Sequence, residues 1–152
     1  TIEKISVETE TFLLYASRKH LDQNLLKPSL ASKKFVICDR YYDATEAYQC
    51  YGKGLSHEFF QSLNEICNLS IPEITFYIDI TSEISKERIS NRERDRMEAE
   101  EIVFFNKVRE GYLKIAEKNK ERIFKINGID SIENIHKKIL ELVGEKIGSS
   151  LG

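Results

Sequence analysis

Proline and glycine are scarce, two and seven residues respectively in a chain of 152. So little punctuation leaves no obvious linker, and the length is that of one ordinary domain. Cysteine is scarce too: Cys38, Cys50 and Cys67 are odd in number, scattered, and without metal-ligand spacing. That argues against a disulfide framework or zinc site and for reduced, mostly buried thiols in a cytoplasmic protein. No apolar run reaches membrane-spanning length and no signal peptide opens the chain, so no membrane partner is expected. Charge of one sign is also lacking, since the formal net charge is -2. A general nucleic-acid surface is therefore not expected. His20, His57 and His136 are isolated, and neither His-x-x-x-His nor Gly-x-Ser-x-Gly occurs. No Gly-x-x-x-x-Gly-Lys-Ser/Thr phosphate loop is present either, and Gly52-Lys53-Gly54 has the wrong spacing to replace it. The first residue is Thr1 rather than Met, as in a partial or processed product.

What is present suffices for a core: 41% hydrophobic and 32% charged residues. A long helix is predicted over Ser6 to Leu26, capped by Ser6, with Phe12, Leu13, Ala16, Leu21 and Leu25 as its apolar face. Pro28 marks a kink or a new helix start. Phe35 to Cys38 reads as a short buried parallel strand ending at Asp39-Arg40. Short helices follow over Ala44 to Tyr51 and from Ser56 to about Leu69. A second strand spans Ile74 to Ile80. Ser82 begins a helix that enters a charge-dense stretch, Lys86 to Glu101. Ile102 to Lys118 is a long amphipathic helix with Phe105, Val108, Tyr112, Ile115 and Ala116 in its apolar set. Ile123 to Ile126 is a third strand. Ser131 caps a last helix with Ile135, Ile139, Leu142 and Val143 on its apolar face. Residues 148–152 read as a disordered tail, leaving one domain over 1–147. Strands alternating with helices make an α/β protein with a parallel sheet.

Two constellations carry chemistry. In open α/β sheets, ligands bind beyond the carboxyl ends of strands, where Asp39 and Arg40 are expected. A carboxylate there can hold hydrated Mg²⁺ and a guanidinium can fork phosphate oxygens. A structural ion pair capping the next helix fits the same position equally well. Thr45 and Gln49 share a helical face, and Gln49 offers both a donor and an acceptor to the edge of a base. Tyr48 adds a bulky ring beside them. The second constellation is Lys86, Arg88, Arg92, Arg94 and Arg96, with Arg88, Arg92 and Arg96 at four-residue intervals. Such a stripe can gather around a transferring phosphate. It can also be a solvated face paired with Glu87, Glu93, Asp95, Glu98 and Glu100.

The ordered set Phe12-Leu-Leu-Tyr-Ala-Ser-Arg18, Lys27-Pro28-Ser-Leu30, Val36-Ile-Cys-Asp-Arg-Tyr41, Thr45-Glu-Ala-Tyr-Gln49, Gly52-Lys-Gly54, Pro72-Glu-Ile-Thr-Phe-Tyr-Ile-Asp79 and Asp95-Arg-Met-Glu98 resembles thymidylate kinases of the bacterial type. The resemblance runs from about Ile5 to Val143. It implies a phosphate-loop nucleoside-monophosphate-kinase-like parallel sheet with helices on both faces. It also implies transfer of the ATP γ-phosphate to dTMP with Mg²⁺, giving dTDP on the route to dTTP, by a cytoplasmic homodimer. By the resemblance, Arg40 would bind the dTMP phosphate and Asp39 would lie near Mg²⁺. Arg18 would reach the thymine edge, Thr45 and Gln49 would fix the thymine, and Tyr48 would crowd a ribose 2′-hydroxyl. A lid over about 86–97 would supply the catalytic cation, Arg92 first and Arg94 second. Arg88, Arg92 and Asn127 would meet ATP, with Asn127 to Asp130 passing the adenine. Leu14 stands where the family usually has a Phe stacked on thymine, and Ala44 where a Ser is common.

The family's opening strand, phosphate loop, helix and second strand have no counterpart in these 152 residues. In the family sheet the first strand lies between those expected at Phe35 and Ile74. The expectation is that these residues alone neither fold stably nor catalyse. Two other functions are kept open: a deoxynucleoside kinase, and a noncatalytic nucleotide-binding module.

Overall fold

Ser6 opens the first helix, its side-chain oxygen accepting from the Thr9 amide at 3.2 Å. Helix α1 spans Val7–Leu21 and passes into a π-helical segment, Asp22–Leu26, and then α2, Lys27–Ala31. The wider π turn precedes Pro28, which occupies the first turn of α2, where a missing amide hydrogen costs little. The expected kink is thus a local change of helical pitch. The computed structural model describes residues 5–81, 83–84 and 96–150.

These residues form two compact units. The first comprises the chain up to Ile71 together with Glu110–Tyr112, and the second comprises Pro72–Arg109 and Leu113 onwards. The sequence alone predicts one domain.

In the first unit, α1 is followed by α3, Tyr42–Thr45, which continues as a second π-helical segment, Glu46–Gly52. Helix α4, His57–Cys67, is capped by Ser56 and stopped by the left-handed Asn68. The core gathers Tyr15, Leu26, Tyr41, Cys50, Leu55, Phe60, Leu63 and Leu69. The buried face of α1 is not the predicted one. Thr11 and Tyr15 are buried, followed by Asp22 and Leu26 in the π segment, whereas Phe12, Leu13 and Leu25 are each more than half exposed. Thr11 tolerates burial because its hydroxyl donates to the Val7 carbonyl at 2.6 Å. The Tyr15 hydroxyl does the same to Asn64 Oδ1 at 2.6 Å.

The predicted strand at Phe35 to Cys38 does not form: residues 34–38 lie in neither helix nor strand. Phe35 is 85% and Ile37 99% exposed. An extended segment becomes a strand only when a neighbour completes its hydrogen-bond ladder, and no described segment does so here.

The second unit holds the sheet found among the described residues: β1, Thr75–Asp79, parallel to β2, Ile123–Asn127. The register runs from Thr75 opposite Ile123 to Asp79 opposite Asn127. Helix α5 spans Arg96–Lys118 and α6 spans Ile132–Ser150, so the last helix enters the stretch read as a disordered tail. Val108, Ile115, Ala116, Ile123 and Ile126 are buried. Asp79 and Arg109 join through two hydrogen bonds, Nε to Oδ1 at 2.7 Å and Nη2 to Oδ2 at 2.9 Å. None of the described helices is long and apolar enough to cross a membrane.

Candidate functional site

The first unit brings Leu14, Arg18, Asp39, Arg40, Thr45, Tyr48 and Gln49 together within one compact body. Each position follows from local structure. Leu14 and Arg18 are four residues apart on α1, so they share a face. The extended stretch after α2 delivers Asp39 and Arg40 to a bend, where both are exposed. Arg40 takes a left-handed backbone conformation with φ 59°. Tyr41 is buried and its carbonyl accepts from the Ala44 amide at 3.1 Å, opening α3. Thr45 closes α3 and Gln49 lies one turn later in the π segment.

Thr45 is 0% and Gln49 4% exposed, which excludes a solvated polar face for this pair. The Thr45 Oγ1 and Arg18 Nη1 atoms are both buried without a hydrogen-bond partner among the described residues. A buried polar atom left unpaired is costly, so such atoms mark positions where an external partner is favoured. Burial lowers the basicity of the Arg18 guanidinium, and the nearby Arg40 charge acts in the same direction. An acceptor atom supplied by a ligand at Arg18 Nη1 would satisfy the donor that burial leaves unmatched. Leu14 is half-buried and can pack against a base without stacking on it.

Arg40 lies over Tyr48, which meets Tyr112 edge-on with ring centres 6.4 Å apart. Burial pushes the Tyr112 hydroxyl up to about 12, so it is neutral at physiological pH. In the sequence Tyr112 reads as one more member of the α5 apolar set, and only its place among Glu110–Tyr112 of the first unit brings it to Tyr48. Gly111 beside it allows close approach: a Cβ there would lie 2.7 Å from the Tyr51 Cβ. Asp22 also escaped sequence reasoning, because a lone Asp in a helical stretch gives no signal of burial.

Asp39 is an exposed carboxylate with no hydrogen-bond or ion-pair partner among the described residues. Among those residues no three His, Cys, Asp or Glu side chains group as a metal site. One exposed carboxylate next to the Arg40 guanidinium in sequence suits Mg²⁺, which keeps several waters and is commonly shared between a carboxylate and substrate phosphates. It does not fit a metal held by protein ligands alone.

Asn127 ends β2 in the second unit. Its side chain holds a turn, accepting from the Ile129 amide at 3.2 Å and donating to Asp130 Oδ1 at 3.1 Å. Arg88, Arg92 and Arg94, with most of the lid expected over about 86–97, lie outside the described residues.

A family model described as thymidylate kinase matches residues 1–139. The thymidylate kinase of Pelodictyon phaeoclathratiforme is 39% identical over 153 residues, covering 93% of this chain and 70% of the relative. That of Acholeplasma laidlawii is 40% identical, covering 95% and 72%. Among solved structures, thymidylate kinase from Ehrlichia chaffeensis superposes with a TM-score of 0.74 at 30% identity, over 93% of this chain and 67% of that one.

Proposed function

This chain belongs to the thymidylate kinase family, and we propose from that premise that the protein transfers the γ-phosphate of ATP to dTMP, giving dTDP and ADP. The observation that carries the acceptor side is the pair of buried polar atoms on Arg18 and Thr45, without hydrogen-bond partners among the described residues, in the same unit as the left-handed Arg40 turn. Arg40 takes the dTMP phosphate, with Tyr48 beneath its guanidinium and against the sugar. Arg18, Thr45 and Gln49 meet the polar edge of the thymine, and Leu14 packs on its face. Asp39 is the residue that would hold Mg²⁺, which when bound would supply charge neutralisation for phosphoryl transfer. The lid arginines, Arg92 first and Arg94 second, stabilise the transferring phosphoryl group. Arg88, Arg92 and Asn127 contact ATP.

The protein acts in the cytoplasm as a homodimer. Support for the second copy comes from α1, where Phe12, Leu13 and Leu25 remain largely exposed. A deoxynucleoside kinase is disfavoured by the match to a nucleotide-kinase family over residues 1–139. The deciding experiment is a coupled ADP-release assay on the full-length protein with dTMP and with thymidine. Turnover with dTMP alone is expected, and turnover with thymidine alone would overturn the reading.

A further inference from the structure

Asp22 is completely buried, 0% exposed, where α1 passes into its π-helical segment. A carboxylate in that position is costly unless paired. Three groups from separate parts of the first unit converge on it. The Ser70 amide donates to Oδ1 at 3.0 Å and the Tyr41 hydroxyl donates to the same oxygen at 3.4 Å. The Lys27 ammonium lies 3.1 Å from Oδ2, close enough for a charge pair but without hydrogen-bond alignment. Burial alone would raise the carboxyl's proton affinity, yet the Ser70 and Lys27 contacts hold it below the ordinary Asp range. The group is therefore an anion at neutral pH.

Tyr41 connects this anion to the acceptor site. Its ring is buried and meets Tyr42 edge-on at 5.5 Å. On one side its backbone opens α3, which carries Thr45. On the other side it follows Arg40 with its φ of 59°. Such a backbone is uncommon and mildly costly for a non-glycine residue, so contacts around it help to hold it. Tyr41, the next residue, is buried and tied to Asp22.

We propose that Asp22 is a positioning residue for the acceptor site, holding the Tyr41 hydroxyl so that the left-handed turn keeps Arg40 over Tyr48. This rests on the reading of Arg40 as the phosphate ligand of dTMP. The competing account makes Asp22 a core staple for the Ser70 segment, with no consequence for substrate.

The test is steady-state kinetics on full-length variants. Tyr41→Phe removes one oxygen and leaves the Ser70 and Lys27 contacts in place. It is expected to raise KM for dTMP roughly threefold to tenfold, with KM for ATP unchanged and kcat within about twofold. Asp22→Asn is expected to act in the same direction, and the double variant to be no worse than the more affected single one, because both break one contact. Lys19→Met serves as the control. It removes a bond to the Cys67 carbonyl from the same helix without touching Tyr41, and should lower Tm while leaving both KM values alone. An unchanged dTMP KM in Tyr41→Phe, or fully additive effects in the double variant, would overturn the proposal if Arg40→Ala raises KM. If Arg40→Ala also leaves KM unchanged, the phosphate assignment itself fails and the positioning role falls with it.

Discussion

The central carbon of the Arg40 guanidinium lies 4.5 Å from the centre of the Tyr48 ring. One aromatic face therefore supports the cation assigned to the phosphate and, by the family resemblance, walls the sugar. Tyr48→Ala should raise KM for dTMP about tenfold by releasing Arg40. It should also narrow the preference for dTMP over its ribose counterpart, whereas Tyr48→Phe should preserve both. Parallel kinetics with the two nucleotides give the readout, and an unchanged preference in Tyr48→Ala would remove the sugar-wall role.

Thr45 sets stability against binding. Its hydroxyl is buried and has no hydrogen-bond partner among the described residues, so the near-isosteric Thr45→Val removes an unsatisfied group. The expected result is a Tm equal to or above that of the parent, since an unmade buried hydrogen bond costs about 1–3 kcal/mol. Affinity for dTMP should fall together with that gain. Calorimetry for folding and titration for binding measure the two effects separately, and a lower Tm with intact affinity would contradict the assignment.

For the arginine stretch the expectation concerns turnover. Arg92→Ala should lower kcat by two orders of magnitude or more, as loss of a transition-state charge contact does, with a smaller change in KM for dTMP. Arg94→Ala should cost less. The reverse order would exchange the two roles.

Asp79 provides a pH prediction. Burial alone would raise its carboxyl, but the Arg109 and Tyr77 hydrogen bonds and the Arg109 charge hold it below the ordinary Asp range. Its stabilising contribution is therefore fully present above the unfolded value of about 3.9 and is lost as pH falls through the lower folded value. Asp79→Asn should cost about 1.5–3 kcal/mol at neutral pH, towards the lower figure because Arg109 is a third exposed. Between pH 5 and 3, roughly the window set by that value, its Tm should fall less than the parent's. Equal acid sensitivity would show that the pair does not couple to folding.

The 152 residues expressed by themselves should show neither a cooperative melt nor kinase turnover. Phe35 and Ile37 at 85% and 99% exposure leave an extended apolar segment without a strand neighbour among the described residues. A sharp thermal transition accompanied by ADP release from dTMP and ATP would overturn this expectation.

Much of this was legible in the chain. Ser6, Ser56 and Ser131 each accept from the amide three residues on, at 3.2, 3.4 and 3.2 Å. Capping is a contact between near neighbours, so sequence carries it. The strands at Thr75–Asp79 and Ile123–Asn127 were legible for the same kind of reason, as short apolar runs between turns. The ordered motifs from Phe12 to Glu98 were enough to point to the family.

The tertiary structure decided which side of α1 faces inward. Periodicity favoured Phe12, Leu13 and Leu25 for the core, yet Thr11, Tyr15 and Asp22 are the buried ones. Their polar atoms find partners at Val7, Asn64 and Ser70, and the last two lie nearly fifty residues away. The apparent strand at Phe35 failed for the complementary reason, that a ladder needs a neighbour. Sequence by itself thus determined helix starts, strand candidates and the family, because these rest on local order. Only the folded chain determined the partners of Asp22, the placing of Tyr112 against Tyr48 and the turn at Arg40, because each depends on groups far apart in sequence meeting in space.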